Sequence, residues 1–224
     1  MPTPAERREA TRSAVVRAAT SALVDGGLAR FTAPEIVRRG DFSHGTIFNH
    51  FPTMVDLAAA VVEHVFTGLS DDYAKRYANL AGGQVTLGTL VAMLWQIYDQ
   101  PQVTAVYELY AAARTDRRLH EAIAPMIQAH VDVIDELGPA ILADLTDADP
   151  SLTGRMVSLT ILAMQGLALY LPVASGAKDD VGDLVRTLVE VGEAMMPPPA
   201  GRTAVSSTVV SNTAAKKKPA SRRA

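Results

Sequence analysis

Five histidines, at positions 44, 50, 64, 120 and 130, are the side chains best suited to moving protons or holding a metal near neutral pH. They are scattered. No HExxH pair, phosphate-binding glycine loop or GxSxG elbow accompanies them. His120 and Glu121 are adjacent and so point in different directions on a helix. Asp71-Asp72 and Asp179-Asp180 read as helix-start carboxylates that suit the dipole. The chain has no cysteine, which excludes disulfides, thiolate metal sites and thiol nucleophiles. No catalytic set, metal site or cofactor is therefore expected. The remaining chemistry is hydrogen bonding. The run Ser43-His44-Gly45-Thr46-Ile47-Phe48-Asn49-His50 places hydroxyl, imidazole and amide groups on one short rod.

The elements that hold this rod are announced by helix-start signals. Thr3-Pro4-Ala5-Glu6 and Thr32-Ala33-Pro34-Glu35 both fit a capping box with proline in the first turn. Ser43 suits the cap of the next helix, and Thr53 with Asp56 the one after. Helices are expected to begin near residues 4, 33, 44 and 54. Val15, Ala19, Ala22 and Leu23 make one apolar face on the first, which Gly26-Gly27 ends. Ile36 and Val37 give the second a small apolar side. Ile47, Phe48 and Phe51 are expected to anchor the third from within. Ala58, Val61, Val62, Val65, Phe66 and Leu69 continue the pattern in a long fourth helix.

Two short helices joined by a tight turn form a helix-turn-helix, whose second helix enters the DNA major groove. His44, Gly45, Thr46 and Asn49 are the outward candidates. Asn can pair bidentately with adenine, and glycine lets the backbone approach closely. Thr32 and Ala33, at a helix N-terminus, suit phosphate. Arg38, Arg39 and the more distant Arg7, Arg8 and Arg12 are candidates for the phosphate backbone, against the commoner role of a solvated charge. Ser43, Phe48 and His50 complete the DNA-binding set, His50 also reading as a structural residue at the helix exit.

Residues 6–57 resemble the DNA-binding domain of the TetR (tetracycline-repressor-like) family of bacterial transcription regulators. The resemblance is carried by Ala18-Ala19, Gly26-Gly27, Thr32, Ile36 and the run Ser43 to Pro52. The stretch ELYAAARTDRRLHEAI from Glu108 is similar to a segment of some members. Three positions differ from the usual pattern. Phe48 stands where a tyrosine is usual, Met54 where a lysine starts the fourth helix, and Asp41 where the turn carries glycine. The resemblance implies a cytoplasmic, homodimeric, ligand-responsive repressor that binds a palindromic double-stranded operator. The alternative, motivated by those three positions, is a small-molecule-binding protein on the same scaffold with weak or lost sequence-specific DNA binding.

A chain of 224 residues can bury a substantial core. Its net charge of −3 is unevenly spread. Residues 1–57 carry seven Lys+Arg and six Asp+Glu, residues 58–196 eight and eighteen, and residues 197–224 six and none. Nucleic acid should avoid the acidic middle. The N-terminus is charged and lacks a signal-like apolar region. Leu159 to Ala174, the most apolar run, contains Thr160, Gln165 and Pro172 and is short of the ~20 residues a span needs. No membrane partner is expected.

Apolar periodicity divides the body into helices near 54–79, 84–99, 102–114, 117–145, 151–174 and 178–196, with Pro125 and Gly138-Pro139 expected to bend or interrupt the fourth of these. The chain thus reads as all-α. An N-terminal three-helix helix-turn-helix domain spans 1–53 and a C-terminal helical ligand-binding and dimerisation domain spans 54–196. A basic tail, expected to be disordered, spans 197–224. That tail, with Lys216-Lys217-Lys218 and Arg222-Arg223, is either a phosphate tether or a solvated end. Met93, Trp95, Tyr98, Tyr107, Tyr110, Met126, His130, Met164, Gln165 and Tyr170 suit a pocket for a small apolar effector, or an ordinary core. The helix near 151–174 is apolar nearly all round, and the one near 178–196 adds a second stripe. Together they suit a four-helix interface with a second copy.

Overall fold

The structure is a computed structural model that describes residues 1–80, 85–173 and 181–199. The described residues hold nine helices and no strand: α1 (Pro4–Arg30), α2 (Ala33–Gly40), α3 (His44–His50), α4 (Met54–Ala78), α5 (Leu87–Tyr98), α6 (Pro101–Ala113), α7 (Arg117–Leu142), α8 (Pro150–Tyr170) and α9 (Val181–Met195). The tail lysines and arginines, Asp179-Asp180 and the expected helix starts at 84 and 178 lie outside the described residues.

All four expected helix starts in the first 57 residues are present. Three use the expected cap. Thr3 and Glu6 form a reciprocal box, with the Thr3 N–H donating to the Glu6 carboxylate at 2.6 Å and the Glu6 N–H to the Thr3 hydroxyl at 3.2 Å. Ser43 Oγ accepts the Thr46 N–H at 3.0 Å. Thr53 and Asp56 repeat the reciprocal box at the head of α4. The fourth cap differs. The Thr32 side chain makes no cap bond, and Glu35 turns away from it to Arg38 and Arg39. Charge-assisted bonds to guanidinium outcompete a neutral backbone N–H.

The chain forms two compact units. The first holds residues 1–72 and 99–132, the second the described residues within 73–98 and 133–199. α6 and the leading parts of α4 and α7 belong with the three short helices in the first unit. In the first unit Val15, Val16, Ala19, Ala22 and Leu23 of α1 are buried with Ile36, Ile47, Phe51, Leu57, Val61 and Val62. Burying each large aliphatic side chain stabilises the unit by roughly 1.5–3 kcal/mol, before chain entropy is counted. α1 breaks at Gly26-Gly27, where both residues leave helical geometry, and one more turn runs to Arg30.

In the second unit α5 packs on α8 and α9. Glycines set the closest approaches. A Cβ at Gly192 would lie 2.7 Å from Leu87 Cδ2, and one at Gly138 would lie 2.8 Å from Val157 Cγ1. Asp149 caps α8 through the Ser151 N–H at 2.9 Å, and the Ser151 hydroxyl, followed by this backbone bond, draws its carboxyl below the usual range. α7 runs as one helix through Pro125 and Gly138-Pro139, so the expected interruption is absent. Asp71 and Asp72 sit well inside α4 rather than at a helix start, and Asp72 accepts the Gln100 side-chain amide at 3.2 Å.

Candidate nucleic-acid interface

α3 is buried on one side only. Ile47 and Phe51, four residues apart, are fully covered, while His44, Gly45, Phe48 and Asn49 are exposed. Phe48 was expected to point inward. It stands 41 % exposed, because one residue of helix turns it about 100° from Ile47. Thr46 is half-buried and its hydroxyl shares a 2.9 Å hydrogen bond with Ser43 Oγ. His50 is half-buried at the helix end. The outward surface of α3 therefore consists of an imidazole, a bare backbone at Gly45, a phenyl ring and a carboxamide. A Cβ at Gly45 would meet only Ser43 Oγ, at 3.7 Å, so nothing within the described chain requires glycine there.

The turn before α3 is tightly specified. Gly40 is overlain by the Phe42 ring, which leaves no room for a side chain. Asp41 follows in the left-handed region at φ 54°, ψ 41°, a conformation that Asp adopts more readily than most residues. The exit of α3 is closed by Phe51, with the Arg12 guanidinium 5.2 Å from its ring centroid. Arg12 thus belongs to the packing of α1 on α3, while Arg7 and Arg8 are exposed on α1.

The arginines of α2 part company. The Arg38 side chain is 65 % exposed and forms a bidentate pair with Glu35 at 2.9 and 2.6 Å. Arg39 is 13 % exposed and clamps α2 to α1 through Asp25, Ser21 Oγ at 2.8 Å and the Ser21 carbonyl at 3.1 Å, while also bonding Glu35 of its own helix at 2.8 Å. The hydrogen bonds from Arg38 and then Arg39 pull the Glu35 carboxyl down to about 2. Thr32 is exposed and its hydroxyl is not engaged as a cap, whereas Ala33 is buried and offers only its backbone.

The effector candidates fall into two groups. In the first unit the Tyr107 and Tyr110 rings meet edge to face at 5.5 Å, Tyr110 meets Phe66 at 6.2 Å, and Phe66 stacks on His130 at 4.2 Å. Phe66 looked like an ordinary α4 core residue in the sequence, and only the stack reveals its neighbour. His130 Nε2 is buried without a hydrogen-bond partner, and burial lowers the imidazole to about 4. Met126 is half-buried one turn earlier on α7. In the second unit Met93, Tyr98 and Met164 are buried, and Trp95 and Gln165 are half-buried. Tyr98 hydrogen-bonds Gln165, and burial pushes its hydroxyl up to about 12. Tyr170 is 60 % exposed. No group of three potential metal ligands occurs among the described residues.

α8 carries a further surface. Met156, Ile161, Met164 and Ala168 face inward, while Leu159, Leu162, Leu169 and Tyr170 lie 46–63 % exposed. Leu184, Val191 and Met195 form a parallel exposed stripe on α9. α8 is also long and apolar enough, by length and composition, to cross a membrane.

Residues 15–61 match the family described as bacterial regulatory proteins, tetR family. An uncharacterized HTH-type transcriptional regulator of Mycobacterium tuberculosis is 29 % identical over 136 residues, covering 61 % of this chain and 70 % of that protein. Among solved structures, a TetR-family transcriptional regulator from Agrobacterium tumefaciens shares 15 % identity at a TM-score of 0.60, over 82 % of this chain and 98 % of that one. The multidrug binding protein EbrR, complexed with imidazole, shares 22 % identity at a TM-score of 0.58, over 86 % and 98 %. These two likenesses establish the fold, while the match at residues 15–61 falls on the helices that present α3. The chain is thus similar to TetR-family helix-turn-helix regulators, through the family match at residues 15–61 and through a fold shared with solved members.

Proposed function

We infer that the protein acts in the cytoplasm as a homodimeric repressor that releases its operator when a small, largely apolar effector binds the helical body. The observation that carries the DNA-reading half is the outward face of α3. It presents His44, Asn49 and the unencumbered backbone of Gly45, and the fold itself has no use for that glycine. Asn49 and His44 read base edges. Ser43, Phe48, His50 and the Thr46 N-terminal turn pack along the backbone. Thr32, the Ala33 N–H and Arg38 hold phosphate. Arg39 supports this surface from behind by fixing α2 on α1.

The exposed leucines of α8 and the stripe on α9 support pairing with a second copy. Two readers related by a two-fold axis would meet half-sites ~34–36 Å apart. The aromatic groups around Tyr110 and His130, and around Tyr98 and Gln165, support effector binding, as does the EbrR neighbour solved with imidazole. An effector that changes operator affinity by a coupling of ~1–3 kcal/mol is enough to switch occupancy.

The test is selection of duplexes from a randomised pool at moderate salt, followed by sedimentation of the complex. Recovery of an inverted repeat bound by two chains is expected, and Asn49→Ala should broaden one position of it. Recovery of no common sequence would overturn the operator reading and leave a ligand-binding protein on this scaffold.

A further inference from the structure

α1 is interrupted just before the reader begins. At Gly26 and Gly27 the backbone leaves helical geometry, and Gly27 adopts φ 63°, ψ −163°, which only glycine takes readily. Just past the break, the Leu28 N–H donates to Glu108 Oε2 at 3.0 Å, from a residue 80 positions later on α6. The glycine also clears the approach, since a Cβ at Gly27 would lie 2.5 Å from the same carboxylate oxygen. The stem of Arg30 lies across Gly26 in the same way. Two glycines thus open a corner into which one side chain is folded from α1 and another is inserted from α6.

The position of this corner gives it a consequence. The Phe31 N–H bonds the Leu28 carbonyl at 3.1 Å, the Thr32 N–H bonds the Arg30 carbonyl at 2.8 Å, and α2 starts at once. The carboxylate therefore fixes the turn from which α2 and α3 are launched. Glu108 is also flanked on its own helix by Tyr107 and Tyr110, whose rings connect through Phe66 to His130. A rotation of α6 that disturbs this aromatic group moves the carboxylate with it.

We propose that Glu108 is a positioning residue for DNA recognition: its carboxylate, received by the Gly27-Leu28 corner, sets the attitude of the α2–α3 reader. This rests on the reading of α3 as the DNA-contacting helix. Glu108 itself touches no DNA, so its loss should misalign base contacts and leave general phosphate attraction unchanged.

The experiment uses the full-length protein and a duplex selected by the wild type, beside a scrambled duplex of equal length. Glu108→Ala should weaken the selected duplex by about 3- to 30-fold while leaving the scrambled one unaltered. Glu108→Gln, which keeps an acceptor, should recover part of the loss. Leu28 amide exchange should accelerate in Glu108→Ala and less so in Glu108→Gln. A role in stability alone would lower active protein and weaken both duplexes in proportion. That result, or an unaltered selected-duplex affinity, or an unaltered Leu28 exchange rate, overturns the proposal. If the wild type selects no sequence, the operator reading has failed, and the exchange measurement still decides whether Glu108 holds the corner. If Glu108→Ala does not fold, Glu108→Gln carries the same comparison.

Discussion

Gly45→Ala separates what the fold needs from what the DNA surface needs, because the two effects have opposite sign. Gly45 lies in the first turn of α3, where a new Cβ would meet only Ser43 Oγ at 3.7 Å, an ordinary contact. Alanine therefore adds no clash and removes backbone freedom from the unfolded chain. In a helix interior this is worth roughly 0.5–1 kcal/mol. The first turn warrants the lower end, about 0.5 kcal/mol, or ~1–2 °C in melting temperature for a domain of this size. At the interface the methyl stands where backbone is to approach the groove. Displacing the adjacent Asn49 and His44 contacts should cost ~1–3 kcal/mol, a loss of about 5- to 150-fold in affinity. Thermal unfolding and fluorescence anisotropy on a selected duplex measure the two sides independently. A variant that melts higher and binds as well as the wild type would refute α3 as the surface that meets DNA. A variant that melts lower would refute the assignment of Gly45 as unneeded by the fold.

Asp41→Gly should raise stability by about 0.5 kcal/mol by relieving the left-handed residue at φ 54°. It should also strengthen DNA binding at low salt by removing a carboxylate beside α3; a lower denaturation midpoint would contradict the turn geometry. Leu162→Asp, at a position 63 % exposed, should leave the helix content intact and convert the protein to a monomer in sedimentation. It should bind a half-site normally and a palindrome poorly, and a persistent dimer would reject the α8 surface. His130 is depressed by burial from its ordinary 6.5 to about 4, so the unfolded chain takes up its proton first as pH falls. The neutral form is fully tolerated above pH 6.5, and stability should decline between pH 6.5 and 4. His130→Leu should flatten denaturation midpoints across that window, and an unchanged slope would contradict the buried neutral imidazole. Glu35, held at about 2, titrates in a separate window, its contribution being lost between about pH 4.5 and 2.

Much of the reader was legible because its signals are local. Thr3, Ser43, Thr53 and the glycines at 26–27 act on groups within a turn of themselves, so residue type and spacing suffice. The Thr32–Glu35 box was misjudged because its competitors, Arg38 and Arg39, come a turn later and carry charge. Phe48 was misjudged because its apolar type suggested the core, although its neighbours Ile47 and Phe51 already occupy the covered side. The run that starts at Glu108 stood out in the sequence, but the role of Glu108 did not, since its partner is 80 residues away and is a backbone group. Which helices cluster in each unit is not legible for a different reason. α4 and α7 each run unbroken from one unit into the other, so neither composition nor helix ends mark the boundary.

The internal pairing on α2 also bears on how the protein shares its time across a chromosome. Arg39 is spent on Asp25 and Ser21, and Glu35 draws on Arg30, Arg38 and Arg39 together. On α2 a phosphate must therefore compete with Glu35 for the exposed Arg38, and displacement of counterions by such cations is what drives indiscriminate association. That helix then adds less to the hold on a random duplex than its arginine count suggests.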